Sequence, residues 1–392
     1  MSKHPIIRVK PKEGRRARAG APWLFSNEIE MSNTAKALAP GAIVNVLGDD
    51  GRVFGTGYFN SKSLIAVRML DPNADTAIGA DFLAGKLKRA LTLRETLYSE
   101  PYYRLVNSEG DGLPGLVIDR FGETCVVQIT TAGIESKVDA LLAALEEALR
   151  PQNVILRADA PARSLEGLEI YVRAAKGEAG RMPVEENGVR YFADAKAGQK
   201  TGWYYDQRDN RAFMASLARG KSVLDAYCYT GGFALAAAHG GAREVAGLDS
   251  SAPALELAES AAAANGLTCN FIKADVFEEL ERLWSSKENF DMVLADPPPF
   301  VKAKKDLEVG AKAYRKLARL AANVTAKDGF LALASCSHNI PTERFASECA
   351  AGIARAGRSA RLIRQAGAAP DHPLHPMLPE SAYLKALVYA LD

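Results

Sequence analysis

The residues with chemistry to offer stand where short apolar runs end. Val223 and Leu224 run into an acid, Asp225, then a short aromatic loop reaches the paired glycines Gly231 and Gly232 and an alanine-rich run from Phe233 to Ala238. This reads as strand, tight loop, helix. Glycine lets a backbone come close to a ligand because no Cβ intervenes, and the helix start behind it offers unpaired N–H groups. The loop is not G-x-G-x-x-G, so a pyrophosphate-binding dinucleotide fingerprint fits poorly. A cofactor with ribose and adenine but no phosphate fits better, and S-adenosylmethionine (SAM) is the obvious candidate. Asp225, Tyr229, Thr230 and Gly231 would line its site.

Four further strand ends carry polar or special-geometry residues. Arg243 to Leu248 ends at Asp249, followed by Ser250. An acid about 20 residues past a glycine loop is placed to accept hydrogen bonds from ribose hydroxyls. Cys269 to Lys273 is followed by Asp275, which could meet the adenine edge. Phe290 to Ala295 ends in Asp296-Pro297-Pro298-Pro299-Phe300, and Phe330 to Ala334 ends in Ser335-Cys336-Ser337-His338. In an open α/β sheet, ligands sit at the carboxyl ends of the strands. Upstream, the run to Tyr204-Tyr205-Asp206-Gln207-Arg208 is dense in glycines, aromatics and charges from Ala197 on. Gln207 and Arg208 could close one side of the pocket. A capped helix start, with Asp206 near the N-cap and Arg208 and Arg211 solvated, is the competing structural reading.

These strand ends need a sheet to hold them. Strands and helices alternate from here to the C-terminus, with helices at Pro253–Asn265, Val276–Trp284, Gly310–Lys327 and Thr342–Ala356 and a last buried strand at Tyr383–Leu391. That order predicts a parallel sheet covered by helices on both faces. At 392 residues the chain suggests two or three domains. Its 48% hydrophobic and 24% charged residues are ordinary for a globular protein. No apolar run approaches the ~20 residues that span a bilayer, and the N-terminus has no signal-peptide core. Five scattered cysteines without a C-x-x-C pair indicate neither zinc nor disulfides, so a reducing cytoplasm is expected. The net charge of +2 does not itself argue for nucleic acid.

The first ~70 residues read as short β segments with turns, including a hairpin around Asp49-Asp50-Gly51, after which Gly55 and Gly57 interrupt the next strand. Lys10, Lys12, Arg15, Arg16 and Arg18 precede Trp23 and Phe25. A basic cluster beside exposed aromatics can hold phosphates and stack on bases; a solvated loop with Trp23 in a small core is the alternative. A second unit, from a linker at Asp71–Asp75, begins with a basic helix carrying Lys86, Lys88, Arg89 and Arg94. Strands follow, then one helix over Ile134–Leu149 at helical spacing, then another strand. Glu109 and Asp111 sit in a glycine-rich turn, where turn chemistry explains them.

Taken together, these segments resemble the RlmI-like family of SAM-dependent methyltransferases, which act on cytosine C5 in large-subunit ribosomal RNA. The resembling pieces are Trp23-Leu24-Phe25-Ser26, Glu109 to Gly115, Lys200-Thr201-Gly202 with Asp206-Gln207-Arg208, Tyr229 to Gly232, Asp296-Pro297-Pro298, Ser335-Cys336-Ser337, Asp371-His372-Pro373 and Tyr383-Leu384-Lys385. The resemblance implies an α/β protein of three parts: a PUA-like RNA-binding domain over 1-73, a middle α/β domain over 74-185 and a Rossmann-like SAM methyltransferase domain over 186-392. It favours the RNA reading of the basic cluster, with Arg15, Arg16 and Trp23 as contacts.

Cytosine C5 is a poor nucleophile. A thiolate adding to C6 makes C5 enamine-like, so that it can take a methyl group from a sulfonium. The resemblance puts that nucleophile at Cys336; a buried structural cysteine is the alternative fate. Cys228 is a rival, although in the cofactor loop it would rather line the methionine portion. Asp296 would hold the base edge and could donate to N3 if its pKa were raised. Phe300 could stack on a base, and Lys302 could meet phosphate. A second cysteine after the proline, present in another RNA family, is missing here, so the base that removes the C5 proton is not identified. The expected partners are large-subunit rRNA, with a homodimer as an option, and no membrane or metal. An amino-group methyltransferase on adenine or guanine in RNA, and a non-catalytic ribosome-assembly factor, are the competing functions.

Overall fold

The computed structural model describes residues 2–178, 180–196 and 198–392; Ala197, at the head of the glycine-aromatic loop, lies outside them. Among the described residues no helix is long and apolar enough to cross a membrane. The chain forms two compact units, one of Met1–Met182, Asp194–Trp203 and Pro370–Pro379, the other of Pro183–Ala193, Tyr204–Ala369 and Glu380–Asp392.

The first unit holds two five-stranded sheets. In one, β1 (Ile6–Arg8), β2 (Trp23–Leu24), β3 (Ala42–Leu47), β4 (Val53–Phe59) and β5 (Val67–Asp71) lie in the order β1-β3-β4-β5-β2, with short helices α1 (Arg15–Arg18) and α2 (Asn33–Lys36) in the connections. The expected hairpin joins β3 to β4. Gly55 and Gly57 do not interrupt β4, which runs through both. A Cβ at Gly55 would stand 2.0 Å from Asp71 O and one at Gly57 2.5 Å from Arg68 O, so the glycines let β5 pair closely.

The other sheet comprises β6 (Tyr102–Asn107), β7 (Leu116–Phe121), β8 (Thr124–Ile129), β9 (Asn153–Ala158) and β10 (Tyr171–Lys176), ordered β10-β9-β8-β7-β6. It packs against α3 (Ala80–Leu97) and α5 (Val138–Leu149), while α4 (Ala132–Glu135) and α6 (Ala162–Glu166) are short. The single helix expected over Ile134–Leu149 is two pieces. Lys137 leaves helical geometry at φ −120° and ψ 17°, and Ser136 Oγ donates back to Gly133 O at 2.8 Å.

Arg94 does not belong to a basic surface of α3; it is fully buried. Its guanidinium grips Asp111 with two bonds of 2.5 and 2.8 Å, and donates to the carbonyls of Arg104 and Asp371. The glycine-rich turn thus holds the counter-charge of a buried cation, beyond satisfying its own backbone.

The second unit is built on one seven-stranded sheet. Its strands are β13 (Ser222–Ala226), β14 (Glu244–Asp249), β15 (Asn270–Lys273), β16 (Phe290–Ala295), β17 (Thr325–Ser335), β18 (Ala360–Ala366) and β19 (Lys385–Leu391), ordered β15-β14-β13-β16-β17-β19-β18; a two-stranded ribbon, β11 (Arg181–Glu186) with β12 (Val189–Asp194), precedes it. The helices are α7 (Arg208–Leu217), α8 (Gly232–His239), α9 (Ala252–Asn265), α10 (Val276–Ser285), α11 (Leu307–Asn323) and α12 (Thr342–Arg355). Burial on both faces explains the continuous apolar character of the central strands. Val223 points into one core and Leu224 into the other, the two-residue period of a strand.

The sheet is mixed, not wholly parallel, because β19 runs antiparallel to both β17 and β18. Strand β18 had no signal in the sequence. It is an edge strand, mostly exposed, whose Arg and Gln residues blur any alternation. Helix α11 stops at Asn323 rather than Lys327, since Thr325 already opens β17.

Removing the Arg94 side chain leaves a buried Asp111 carboxylate unpaired. Arg94→Ala is expected to lower the unfolding free energy by about 3–5 kcal/mol, whereas Lys88→Ala, which breaks the exposed pair with Glu147, costs under about 1 kcal/mol. Urea titration of the two variants checks the contrast.

Candidate active site

Register decides which strand ends meet. On β13, Ala226 pairs with Leu248 of β14 and Ala295 of β16, and Ala295 pairs with Leu333 of β17. One residue further along, Tyr227, Asp249 and Asp296 therefore stand level, with Cys336 two residues beyond Ala334. The structure brings together Asp225, Tyr229, Thr230, Gly231, Asp249, Asp296, Gln207 and Cys336 at the carboxyl edge of one sheet.

The loop after β13 is held in a backbone state that L-residues rarely adopt. Tyr227, Tyr229 and Gly231 have φ of 67°, 50° and 80°. Non-glycine residues at positive φ are uncommon and tend to cluster at functional sites. Tyr229 N donates to Asp249 Oδ2 at 2.9 Å, which fixes the loop against β14, and Ser251 N donates to Oδ1 at 2.8 Å. A Cβ on Gly231 would meet Ala258 at 3.1 Å and Phe271 at 3.2 Å. Thr230 is buried, and its Oγ1 has no hydrogen-bond partner among the described residues. An orphaned hydroxyl at a helix start behind a narrow turn is what a ligand would complete.

Asp225 is 1% exposed, and its Oδ2 accepts from Ala234 N, near the start of α8, at 2.8 Å. Burial pushes its carboxyl up to about 8; that hydrogen bond opposes the shift, and the nearby Asp296 and Asp249 add to it. Asp296 is half-buried. Its Oδ2 accepts from Gln207 Nε2 at 2.9 Å, and Gln207 Oε1 in turn accepts from Asn210 Nδ2 at 2.7 Å. This relay fixes the carboxylate. A small pocket between α7, α8 and the sheet opens beside it, lined also by Met214 and Phe233.

Other sequence-predicted residues are placed differently. Asp275 is exposed, and its Oδ1 caps α10 by accepting from Phe277 N and Glu278 N at 2.9 and 3.1 Å. Ser250 is exposed beside Asp249. The helix-start reading of 206–211 is corrected only in its exposure. Helix α7 does start here, and Asp206 stands next to its N-cap, Gln207, but the Asp206 carboxylate receives the Tyr383 hydroxyl at 2.5 Å. Arg208 and Arg211 are not solvated: both are buried against Glu186, at 3.5 and 2.7 Å. Buried cations need a counter-charge, and Glu186 of β11, far back in sequence, provides it.

Around the thiol, Cys336 is half-buried and its neighbours are locked. Ser335 Oγ donates to Tyr314 OH at 2.7 Å, Tyr314 OH lies 2.8 Å from Ser337 Oγ, and Lys385 Nζ donates to Ser337 O at 2.7 Å. Phe300 packs between Phe277 and Tyr314, with ring centroids 6.0 and 4.8 Å away. Lys302 is exposed, and its carbonyl accepts from Asn339 Nδ2 at 3.0 Å. Cys228 is 4% exposed, and burial pushes its thiol far up.

In the first unit, Arg15 and Arg16 are exposed on α1, and Arg16 donates to Met377 O. Trp23 is half-buried rather than fully exposed. Its indole N–H donates to Glu109 at 2.8 Å, and Arg68 sits 5.6 Å from its ring.

Two residues that the sequence reading named only within longer stretches, without a role, stand at the site. Tyr204 meets Tyr229 edge-on at 5.5 Å and is kept neutral by burial. Lys385 is 6% exposed. A lysine opening an otherwise apolar strand, Lys385–Leu391, was the signal for it.

Comparison with known proteins agrees with this fold. A family model described as S-adenosylmethionine-dependent methyltransferase matches residues 176–390, and a PUA-like domain model matches 7–72. "Ribosomal RNA large subunit methyltransferase I" of Shewanella denitrificans is 37% identical across 97% of this chain and 98% of its own. The protein of the same name from Alteromonas mediterranea is 34% identical across 97% of both. Among solved structures, the methyltransferase SMU.776 complexed with SAH superposes with a TM-score of 0.83 at 21% identity, covering 98% of this chain and all of that one. That likeness supports the fold. The acids at the strand ends, the buried Thr230 hydroxyl and the narrow turn at Gly231 fit a nucleoside-bearing SAM.

Asp225 makes stability depend on pH. Its folded pKa is above the unfolded value of about 3.9, so the folded state holds a proton that the unfolded state has lost. Its contribution falls as pH rises from about 4 to about 8. Denaturant melts at pH 5.5 and 7.5 are expected to show this loss in the native chain and a flatter dependence in Asp225→Asn.

Proposed function

The chain belongs to the ribosomal RNA large subunit methyltransferase I family, and we propose that it methylates C5 of a cytosine in large-subunit rRNA through Cys336. The observation that carries this reading is a half-buried thiol at the end of β17, on the same sheet edge as Asp296 and the loop that fits SAM. When bound, SAM supplies an electrophilic methyl group on its sulfonium. Asp225, Tyr229, Thr230, Gly231 and Asp249 would hold it, with Ser250, Asp275, Gln207 and Arg208 as further contacts.

Cys336 attacks C6 of the base, and electron density passes to C5. Asp296, oriented by Gln207, holds the base edge in the pose that the attack requires. After methylation a base such as water takes the C5 proton, the C5–H electron pair restores the C5–C6 double bond, and the C6–sulfur bond breaks with its pair returning to sulfur as the free thiolate. The base must leave its stack to enter such a site, and the half-buried Phe300, its ring tilted 43° against the buried Tyr314, offers an aromatic face for it. Arg15, Arg16, Trp23 and Lys302 are assigned to RNA. The three-part division at 73 and 185 belongs to the same reading, as does work in the cytoplasm, where such a substrate is made.

Cys336→Ala is expected to lower methyl transfer to unmodified rRNA by more than about 10³-fold while leaving SAM binding intact. Tritium incorporation and calorimetry read the two. Retained transfer would favour exocyclic amino-group methylation, which needs no thiol. Absent SAM binding in the native chain would favour a non-catalytic assembly factor.

A further inference from the structure

Six cationic side chains in the described residues are buried, and five of them are arginines with a carboxylate at hand. Arg94 has Asp111, Arg157 has Asp159, Arg163 has Glu135, and Arg208 and Arg211 share Glu186. The sixth is Lys385, 6% exposed. Its Nζ donates to a neutral carbonyl, Ser337 O, and no carboxylate faces it among the described residues. A buried ammonium without a counter-charge is costly, so its partner has to be sought nearby.

Strand register identifies that partner. Lys385 pairs with Ser335, yet its Nζ reaches the carbonyl of Ser337, so its side chain runs past residue 336. We propose that Lys385 is the positioning residue that holds Cys336 as a thiolate, the two forming a buried ammonium–thiolate pair. This rests on the assignment of Cys336 as nucleophile. The proton leaves Sγ for the neutral Nζ, and the sulfur pair is then free to form the bond to C6. When that bond breaks, its electrons return to sulfur opposite the same ammonium, so no further reactant is required.

The surroundings are consistent with this division of roles. Tyr204, ahead of α7, and Tyr314, on α11, both face the thiol, and burial keeps both phenols protonated. Asp296, at the end of β16 on the same sheet edge, carries a charge of the same sign as a thiolate, which makes a nearby cation more necessary. His338 follows on the same loop but is exposed, its ring against Tyr383. Burial lowers the Lys385 ammonium, and Cys336 is the ionisable group that acts against that shift. An opposite charge within about 4–6 Å shifts a partner's titration by about one to three pH units.

The test is alkylation of Cys336 by iodoacetamide in the full-length chain, followed by peptide mass spectrometry across pH. The native midpoint is expected below the ~8.5 of an ordinary thiol, and in Lys385→Met it should rise by about one to three units. A native midpoint at or above 8.5 overturns the proposal without any variant, and so does a Lys385→Met profile that coincides with the native one. Because alkylation needs no turnover, this outcome is separate from that of Cys336→Ala, which tests the nucleophile itself.

Discussion

The site depends on the parallel register of β14, β13, β16 and β17. Each of these strands ends within two residues of its neighbour's level, so Asp249, Asp296 and Cys336 rise from one edge although 87 residues separate the first from the last. Parallel strands have to be joined by crossovers, which leaves all their carboxyl ends on one side. A slip of one residue in any strand would turn its terminal side chain to the opposite face. The apolar cores on both faces, with Leu224, Val293 and Leu331 on one and Val223 and Leu294 on the other, hold that register.

Buried charge is the second theme of the fold. Arg94 with Asp111, Arg163 with Glu135, and Arg211 with Glu186 each tie together segments distant in sequence. Such pairs contribute little net stability, but breaking one is severe, so they define which segments must meet. In the second unit, Glu186 of the ribbon fixes Arg208 and Arg211 at the start of α7. That start presents Gln207 to Asp296. The acid that grips substrate in the proposed reaction is thereby oriented from two residues away by a pair that never touches it.

Much of the site was legible because its residues are local punctuation. A strand that stops at an acid, a turn with paired glycines, and a run of prolines each mark a loop by its own chemistry. Tyr227 and Tyr229 were not legible in their role, because a positive φ at tyrosine has no sequence signature. Asp275 was read from spacing as a ligand contact; that it also caps α10 was not, although any Asp preceding a helix can do so. The antiparallel placement of β19 and the existence of β18 depended on partners, since an exposed edge strand carries little hydrophobic pattern.

From the chain alone came the kinds of element, their order, the strand-end residues and the resemblance that names the chemistry, because periodicity and turn residues are properties of short stretches. Which of those residues face one another came only with the folded chain. Burial of Asp225 came in the same way, and the relay from Asn210 through Gln207 to Asp296 and the bond from Lys385 to the Ser337 carbonyl, one residue past Cys336, join positions that are 3 to 89 residues apart. Pairing and burial are set by packing across the sheet, and no local pattern encodes them.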